Sequence, residues 1–118
     1  MNRRALGAEA EKLAEQYLRA QGYLFMARNW RCRSGEIDLI FRDEGVIVFV
    51  EVRSRSNTSR YGTAIESIDA RKQRQVRGTA EVFLYQQRLS ANAVRFDVIT
   101  VHFQGDNDPE LKHWHEAF

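Results

Sequence analysis

Two apolar segments separated by a short polar turn constrain the fold of this chain more than any other feature. The segments cover residues 36–41 and 46–53, and Asp43-Glu44-Gly45 lies between them. Runs of Val, Ile and Phe bounded by turn residues are typical of a β-hairpin. The second segment is apolar on both faces, which predicts a central strand that is covered on both sides. The core is therefore expected to form around this hairpin.

The other elements are predicted from periodicity and turn residues. Apolar residues at three- and four-residue spacing predict an amphipathic helix over residues 5–21. A second helix is predicted over residues 69–87, with Asp69 as its N-cap. The remaining predictions are a strand over 23–31, a loop over 54–63, a strand over 94–103, a turn over 105–109 and an edge strand as an option for 111–118. The order α-β-β-β-α-β, with an optional last strand, predicts one α/β domain over residues 1–118 with a mixed sheet flanked by helices.

Composition limits the class of protein. A chain of 118 residues with 43% hydrophobic and 29% charged residues has the size and balance of one globular domain. No apolar run approaches the roughly 20 residues that span a bilayer, and no signal-peptide pattern follows the basic N-terminus. The lone Cys32 excludes an internal disulfide. These features predict a cytoplasmic protein with no membrane partner.

Positive charge is concentrated in residues 53–77. Seven basic residues stand against two acidic ones there, a net charge of +5 on a chain whose overall charge is +2. The basic residues are Arg53, Arg55, Arg60, Arg71, Lys72, Arg74 and Arg77. Such a stretch indicates either a polyanionic partner or a solvated helix face, and the charge alone leaves both interpretations open.

The hairpin register follows from the length of its turn. With a two-residue turn at Glu44-Gly45, Asp43 pairs with Val46, and the pairing continues residue by residue away from the turn. Asp38 then lies opposite Glu51, and one face of the hairpin is wholly apolar. A three-residue loop would slip the register by one and place Asp38 beside Val50. The first register is favoured because it keeps that apolar face intact.

In the favoured register two carboxylates lie side by side. Their Cβ atoms would be ~5 Å apart, which destabilises a sheet unless a positive group lies between them. A hard divalent cation such as Mg²⁺ is one solution, and the alternative interpretation is solvated strand ends with Glu36 and Arg53, opposite each other in this register, as a simple surface pair. Arg53 projects from the same face as Glu51. Glu9 lies about 40° beyond Leu13 on the first helix, so we expect it to point toward the surface on which the helix packs.

Several motifs of this chain resemble those of the YraN family of bacterial proteins. They are Gly7-Ala8-Glu9, Tyr17-Leu18 with Gly22-Tyr23, Arg28-Asn29-Trp30, residues 35–40, residues 48–53, Arg95-Phe96-Asp97-Val98 and Ala117-Phe118. The resemblance covers nearly the whole chain. It implies a fold similar to restriction endonucleases and archaeal Holliday-junction resolvases, with a PD-(D/E)xK type of site.

The resemblance also implies roles for individual residues. Asp38 and Glu51 are the expected ligands of Mg²⁺ or Mn²⁺, and Glu9 is an expected catalytic residue that either completes the ligand set or orients the attacking water. Arg53 stands where the motif has its lysine, and Ile37 stands where it has its proline. Arginine cannot be deprotonated in a protein, so Arg53 could stabilise charge on the phosphate but could not accept a proton.

Two functions therefore remain open at this point. One is a metal-dependent endonuclease that hydrolyses phosphodiester bonds in structured or branched DNA. The other is a catalytically silent module of the same fold that binds DNA or a repair partner. In both, phosphates are expected to contact the basic residues Arg55, Arg60, Arg71, Lys72, Arg74 and Arg77. A homodimer acting on two strands is a further option.

Three other residues have competing interpretations. His113 and His115 share a strand face, and exposed edge-strand residues are favoured over a zinc site because the sequence offers no companion ligands. Asp97 either approaches the carboxylate cluster from the next strand or forms a salt bridge with an arginine. The salt bridge is favoured.

Overall fold

The computed structural model describes residues 2–56 and 67–118. Its elements are α1 (Arg3–Ala20), β1 (Leu24–Cys32), β2 (Gly35–Asp43), β3 (Val46–Ser56), α2 (Ala70–Gln86), β4 (Val94–Gln104) and β5 (Asn107–Trp114). The predicted α/β order is confirmed, and the optional edge strand is present. The arrangement is consistent with a nuclease-like core.

The strands form one mixed sheet in the order β1-β2-β3-β4-β5. β3 and β4 are parallel, and the other neighbouring strands are antiparallel. Parallel neighbours cannot be joined by a tight turn, so the chain crosses over through α2 between β3 and β4. The predicted central strand is therefore β3, which has a partner on each side.

A helix covers each face of the sheet. α1 buries Ala10, Ala14 and Leu18 against one face, and α2 buries Val76, Ala80 and Phe83 against the other. β3 contributes alternate side chains to the two cores, Val48 and Val50 under α1 and Phe49 under α2. This double burial explains why its sequence is apolar at successive positions.

Each helix begins at a side chain that caps its free backbone amides. Asn2 Oδ1 accepts the Ala5 N–H, and Asp69 Oδ1 accepts the Lys72 N–H, both at 2.8 Å. The predicted N-cap at Asp69 is thus confirmed, and such a cap stabilises a helix by about 1 kcal/mol. Neither described helix is long and apolar enough to cross a membrane.

The β2–β3 turn has the predicted two residues. Glu44 and Gly45 have φ values of +48° and +90°, as a type I′ turn requires. Asp43 pairs with Val46 and Leu39 pairs with Val50. The favoured register is therefore confirmed, and the alternative three-residue loop is wrong.

The largest differences from the predicted bounds are in β5 and at the end of β3. β5 begins at Asn107, so the turn before it is shorter than predicted, and Pro109 lies within the strand. An edge strand tolerates proline because the missing N–H need not pair. β3 continues to Ser56, three residues into the predicted loop. The rest of that loop lies outside the described residues.

Candidate metal centre on the central hairpin

Asp38 and Glu51 bridge β2 and β3 where the regular pairing of these strands ends. The pairing runs from the turn to Leu39–Val50. Beyond it, the Asp38 N–H donates to Glu51 Oε2 at 3.3 Å, and the Val52 N–H donates to Asp38 Oδ2 at 2.8 Å. The two side chains thus take the place of the backbone ladder, and their carboxylates lie between the strands.

The sheet is also irregular on the other side of Asp38. Arg28 of β1 pairs with Leu39 and Trp30 pairs with Ile37, which leaves Asn29 across from Asp38. Asn29 has a φ of +50°, a left-handed conformation that asparagine tolerates better than most residues. β2 therefore leaves the regular pattern of both neighbouring strands at Asp38.

This irregularity changes the face on which the residue before Asp38 packs. The favoured register predicts that Ile37 shares a face with Leu39 and Phe41. Instead Ile37 packs with Ile40 in the core under α2, whereas Leu39 and Phe41 pack under α1. That detail of the prediction is wrong, because simple alternation does not continue through the break at Asp38.

Two cations lie beside the carboxylates. Arg53 Nη1 is 3.7 Å from Asp38 Oδ2, and Arg53 Nη2 is 3.6 Å from Glu51 Oε1. The guanidinium is held in place because its Nε donates to Ser67 Oγ at 2.9 Å. Lys72 of α2 places its Nζ 3.6 Å from Glu51 Oε1. Each of these ion pairs is longer than a direct hydrogen bond.

The two nearby cations do not fully offset the effect of burial on the carboxylates. Glu51 is only 1% exposed, and burial, followed by the charge of Asp38, raises the pKa of Glu51 to about 7. The charges of Arg53 and Lys72 act in the opposite direction. Burial also raises the pKa of Asp38. The buried Glu51 and the partly buried Asp38, whose charges the nearby cations do not fully compensate, are a suitable donor set for a hard divalent cation.

Glu11 of α1 is a third acid that approaches Asp38 and Glu51. Burial, together with the charges of Asp38 and Glu36, raises the pKa of Glu11 to about 7. A side-chain hydrogen bond from Asn29 acts against this shift. Asn29 thus links the helix acid to the irregular point of the sheet, directly across from Asp38.

The predicted helix acid, Glu9, lies elsewhere on α1. Glu11 is about 20° from the buried Leu18 on the helical wheel, whereas Glu9 is about 180° from it. On the Glu11 side, Glu15 pairs with Arg28 of β1. The structure thus puts Glu11 on the flank that faces Asp38, and a role for Glu9 stays a prediction. The seven-residue spacing from Glu11 to Leu18 is the sequence signal that could have identified it.

Glu36 also has a different partner from the one that the register suggests. Its Oε1 is 3.3 Å from Arg31 Nε on β1. Glu36 and Arg53 therefore do not form the simple surface pair that competes with a metal site in the sequence analysis.

The basic residues predicted to contact phosphates fall into separate groups. Arg71 and Arg74 are exposed on the outer side of α2. Arg77 stacks its guanidinium on Phe96, 4.6 Å from the ring centroid. Lys72 points inward to Glu51, Arg55 is partly buried on β3, and Arg60 lies outside the described residues.

A second polar cluster surrounds the fully buried Asp97. Arg95 donates to both carboxylate oxygens at 2.9 and 3.1 Å, and the Glu116 N–H donates to Oδ1 at 3.0 Å. His113 Nε2 lies 2.7 Å from Oδ2. Burial alone would raise the pKa of Asp97, but the hydrogen bonds from His113, Arg95 and Glu116 lower it overall. The predicted salt bridge to an arginine is confirmed.

His113 and His115 adjoin this cluster, and with Asp97 they could hold a metal ion. Their ligand atoms lie within 4.8 Å of one another. However, the Asp97 oxygens already take part in four hydrogen bonds, two with Arg95 and one each with His113 and the Glu116 N–H. This is about the number that a carboxylate accepts. His113 has only 4% of its side chain exposed and lies 3.2 Å from the Tyr17 hydroxyl. The prediction of exposed edge-strand residues is wrong for His113, which is on β5 but almost buried, whereas His115 is exposed and lies just after β5. The hydrogen bonds of Asp97 are satisfied without an ion.

Comparison with known proteins places the chain in a family. A family model described as "Uncharacterised protein family UPF0102" matches residues 10–101. A UPF0102 protein of Pseudomonas aeruginosa strain LESB58 is 45% identical over 109 residues, 92% of this chain and 86% of that protein. A UPF0102 protein of Geobacter metallireducens is 40% identical over 118 residues, 100% of this chain and 95% of that protein. The chain therefore belongs to the UPF0102 family, which is the YraN family that its motifs resemble.

Proposed function

We propose that this protein is a divalent-cation-dependent endonuclease that hydrolyses phosphodiester bonds in structured or branched DNA. The observation that carries the proposal is the pair of carboxylates, Asp38 and Glu51, held between two strands of the sheet. Placing two acids side by side with little exposure opposes folding, because burial raises the pKa of both and the charge of Asp38 also raises the pKa of Glu51. The arrangement has a use if a divalent cation completes it.

The residues fit such an ion by their chemistry and placement. Asp38 and Glu51 would hold Mg²⁺ or Mn²⁺ with their carboxylate oxygens, and Glu11 would complete the ligand set from α1. When bound, the ion would act as a Lewis acid on a phosphate oxygen and would lower the pKa of a water molecule. The hydrogen bonds from the Asp38 and Val52 amides fix both carboxylates before any ligand arrives.

Arg53 acts on the substrate as a fixed positive charge. Its guanidinium is anchored by Ser67 Oγ and by the Val52 carbonyl oxygen, to which Nη1 donates at 3.0 Å. A cation that needs no rearrangement stabilises the charge that develops on a phosphate during hydrolysis. Arg53 takes no part in proton transfer, since an arginine side chain stays protonated.

DNA binding is attributed to the outer side of α2. Arg71 and Arg74 are exposed there, and contacts of arginine with phosphates position DNA without reading its sequence. The preference for branched DNA rests on the resemblance to Holliday-junction resolvases. A junction presents two equivalent strands, so a second copy of this chain is the expected partner.

A catalytically silent DNA-binding module is the second candidate function. The observation that favours it is Arg53 in the motif position of lysine, where it is already engaged by Ser67. Such a module would keep the fold and the basic surface while lacking hydrolysis. It would bind DNA equally well with or without a divalent cation.

Cleavage assays separate the two functions. Labelled duplex, single-stranded, flap and four-way-junction DNA would be incubated with Mg²⁺, Mn²⁺ or chelator. The nuclease proposal predicts cation-dependent cleavage by the wild type that is lost in Asp38→Asn. The control variant Asp108→Asn changes an exposed acid on β5 and should cleave normally. Salt-sensitive binding without cleavage of any substrate would overturn the nuclease proposal and favour the silent module.

A further inference from the structure

Lys72 differs from the other basic residues of α2 because it lies on the buried side of the helix. It is four residues before Val76, about 40° away on the helical wheel, whereas Arg74 is about 160° away. Its side chain is 29% exposed. Lys72 therefore faces the sheet, and the arginines around it face solvent.

The Lys72 ammonium is held at the carboxylate cluster. It lies 3.6 Å from Glu51 Oε1 and donates to Gln75 Oε1 at 3.2 Å. Gln75 packs closely on Gly35 at the start of β2, where an added Cβ would lie 2.8 Å from Gln75 Nε2. The first turns of α2 thus approach the hairpin closely enough to direct Lys72 toward Glu51.

Lys72 is also distinct among the lysines of the chain. The sequence has three, and the other two are Lys12 and Lys112. Lys12 is exposed on α1, and Lys112 is exposed on β5, where it pairs with Glu110 at 3.6 Å. In the described part of the chain, Lys72 is the lysine whose ammonium contacts a carboxylate of the candidate metal centre.

We infer that Lys72 is a catalytic residue. It supplies from α2 the ammonium group that contacts the reacting phosphate, because the strand has Arg53 where the motif has its lysine. The inference rests on the proposed nuclease function. It assigns different tasks to the two cations. Arg53 is anchored and acts only as a fixed positive charge beside the carboxylates, whereas the Lys72 ammonium can exchange Glu51 for a phosphate oxygen.

The side-chain chemistry supports this division. Lysine carries a compact charge with three donors on a flexible four-carbon stem, so it can reorient without movement of the helix backbone. Arg53 is restrained by two hydrogen bonds, to Ser67 and to the Val52 carbonyl oxygen. A phosphate bound between Asp38, Glu51 and the start of α2 would lie within reach of the Lys72 ammonium. Lys72 would then serve the reaction and not the general attachment of DNA.

The test compares Lys72→Met with the matched control Lys112→Met. With saturating four-way-junction DNA and Mn²⁺, Lys72→Met should cleave at least about 100-fold more slowly than the wild type. Lys112→Met should cleave at the wild-type rate. DNA binding in chelator should keep its salt dependence in Lys72→Met, because without the cation the Lys72 ammonium stays paired with Glu51. Arg74→Met should weaken binding and reduce the salt dependence by about one charge.

Mn²⁺ binding without DNA supplies a readout that a merely structural role would not produce. Removal of the ammonium beside Glu51 removes a charge that competes with the cation, so Lys72→Met should bind Mn²⁺ about 5-fold more tightly. Tighter binding also shows that the variant keeps a folded site. Wild-type cleavage by Lys72→Met, or weaker Mn²⁺ binding, would overturn the inference. A wild type that cleaves nothing would instead overturn the proposed function, and the inference with it.

Discussion

The Glu51 carboxylate accepts a hydrogen bond from the backbone N–H of Asp38, so the side chain of one strand is held by the backbone of the other. The Asp38 carboxylate in turn accepts the N–H of Val52, the residue after Glu51. These two bonds fix the carboxylates at the point where the backbone ladder ends. The candidate centre is therefore preorganised by the fold. The unfavourable free energy of holding two carboxylates side by side is present before any cation binds.

Glu51→Gln should stabilise the protein at alkaline pH. The pKa of Glu51 is about 7 in the folded protein against an ordinary value of 4.5. The folded state therefore favours the protonated Glu51 side chain, and the stability that this preference adds is fully present below about pH 4.5. That contribution is lost as the pH rises through 7. Glutamine keeps an acceptor for the Asp38 N–H and removes the charge. Urea unfolding at pH 8 should show a gain of about 2 kcal/mol, with little difference at pH 4.5. The exposed control Glu110→Gln should change neither value, and a Glu51→Gln variant less stable than wild type at pH 8 would contradict the account.

Asp97→Asn should destabilise the protein strongly. Asp97 is fully buried, and its replacement by asparagine removes the buried charge that pairs with Arg95 and leaves the more exposed Asp43 as the remaining acid beside Arg95. Breaking a buried ion pair in this way costs about 3–5 kcal/mol. Because the pKa of Asp97 is lowered in the folded protein, its contribution is present above its ordinary value of 3.8 and is lost as the pH falls below it. Thermal unfolding at pH 7 measures the loss. A variant within about 0.5 kcal/mol of wild type, as expected for the exposed control Asp108→Asn, would contradict this role.

Asn29 should tolerate glycine and reject a β-branched residue. Its φ of +50° lies in the left-handed region, which costs most residues about 1–2 kcal/mol. Asn29→Val should therefore lower the free energy of unfolding by about that amount, while Asn29→Gly should stay close to wild type. Both variants lose the hydrogen bond to Glu11, so both should cleave DNA more slowly. Equal stability of the two variants in urea unfolding would show that the backbone is not strained there.

Phe118→Ala should weaken the attachment of the C-terminal segment. The Phe118 ring stacks on Phe96 with centroids 5.3 Å apart, and the Arg77 guanidinium lies over both rings. The Ala117 N–H donates to the Phe96 carbonyl oxygen at 2.8 Å. Loss of the ring should cost about 1–3 kcal/mol in urea unfolding. The control Tyr85→Ala removes a ring that is 79% exposed and should have little effect. Equal losses in the two variants would mean that the stacking adds no stability.

The sequence predicts the hairpin well because one local feature determines it. Glu44-Gly45 can adopt the positive φ values of a two-residue turn, and that turn fixes the register up to Leu39–Val50. The same argument fails at Ile37, because the irregular pairing at Asp38 ends the alternation. No periodicity rule signals that break, since it depends on side-chain hydrogen bonds between strands.

The helix residues of the candidate site were harder to predict for a different reason. A helical wheel gives angles between residues, but the centre of the buried stripe depends on which apolar residues the sheet covers. Leu13 is only partly buried, whereas Ala14 and Leu18 are fully buried, and this shifts the inward flank from Glu9 toward Glu11. Lys72 similarly stands among basic residues that are exposed, although its spacing from Val76 places it near the apolar stripe.

Calorimetric titration of Mn²⁺ into the DNA-free protein tests the central claim most directly, with wild type, Asp38→Asn and His115→Ala compared. A cation site at the carboxylate cluster predicts binding by the wild type and by His115→Ala, with loss of binding in Asp38→Asn. Binding that survives Asp38→Asn and disappears in His115→Ala would assign the ion to the Asp97 cluster and contradict the account. A wild type that binds no Mn²⁺ would contradict it equally.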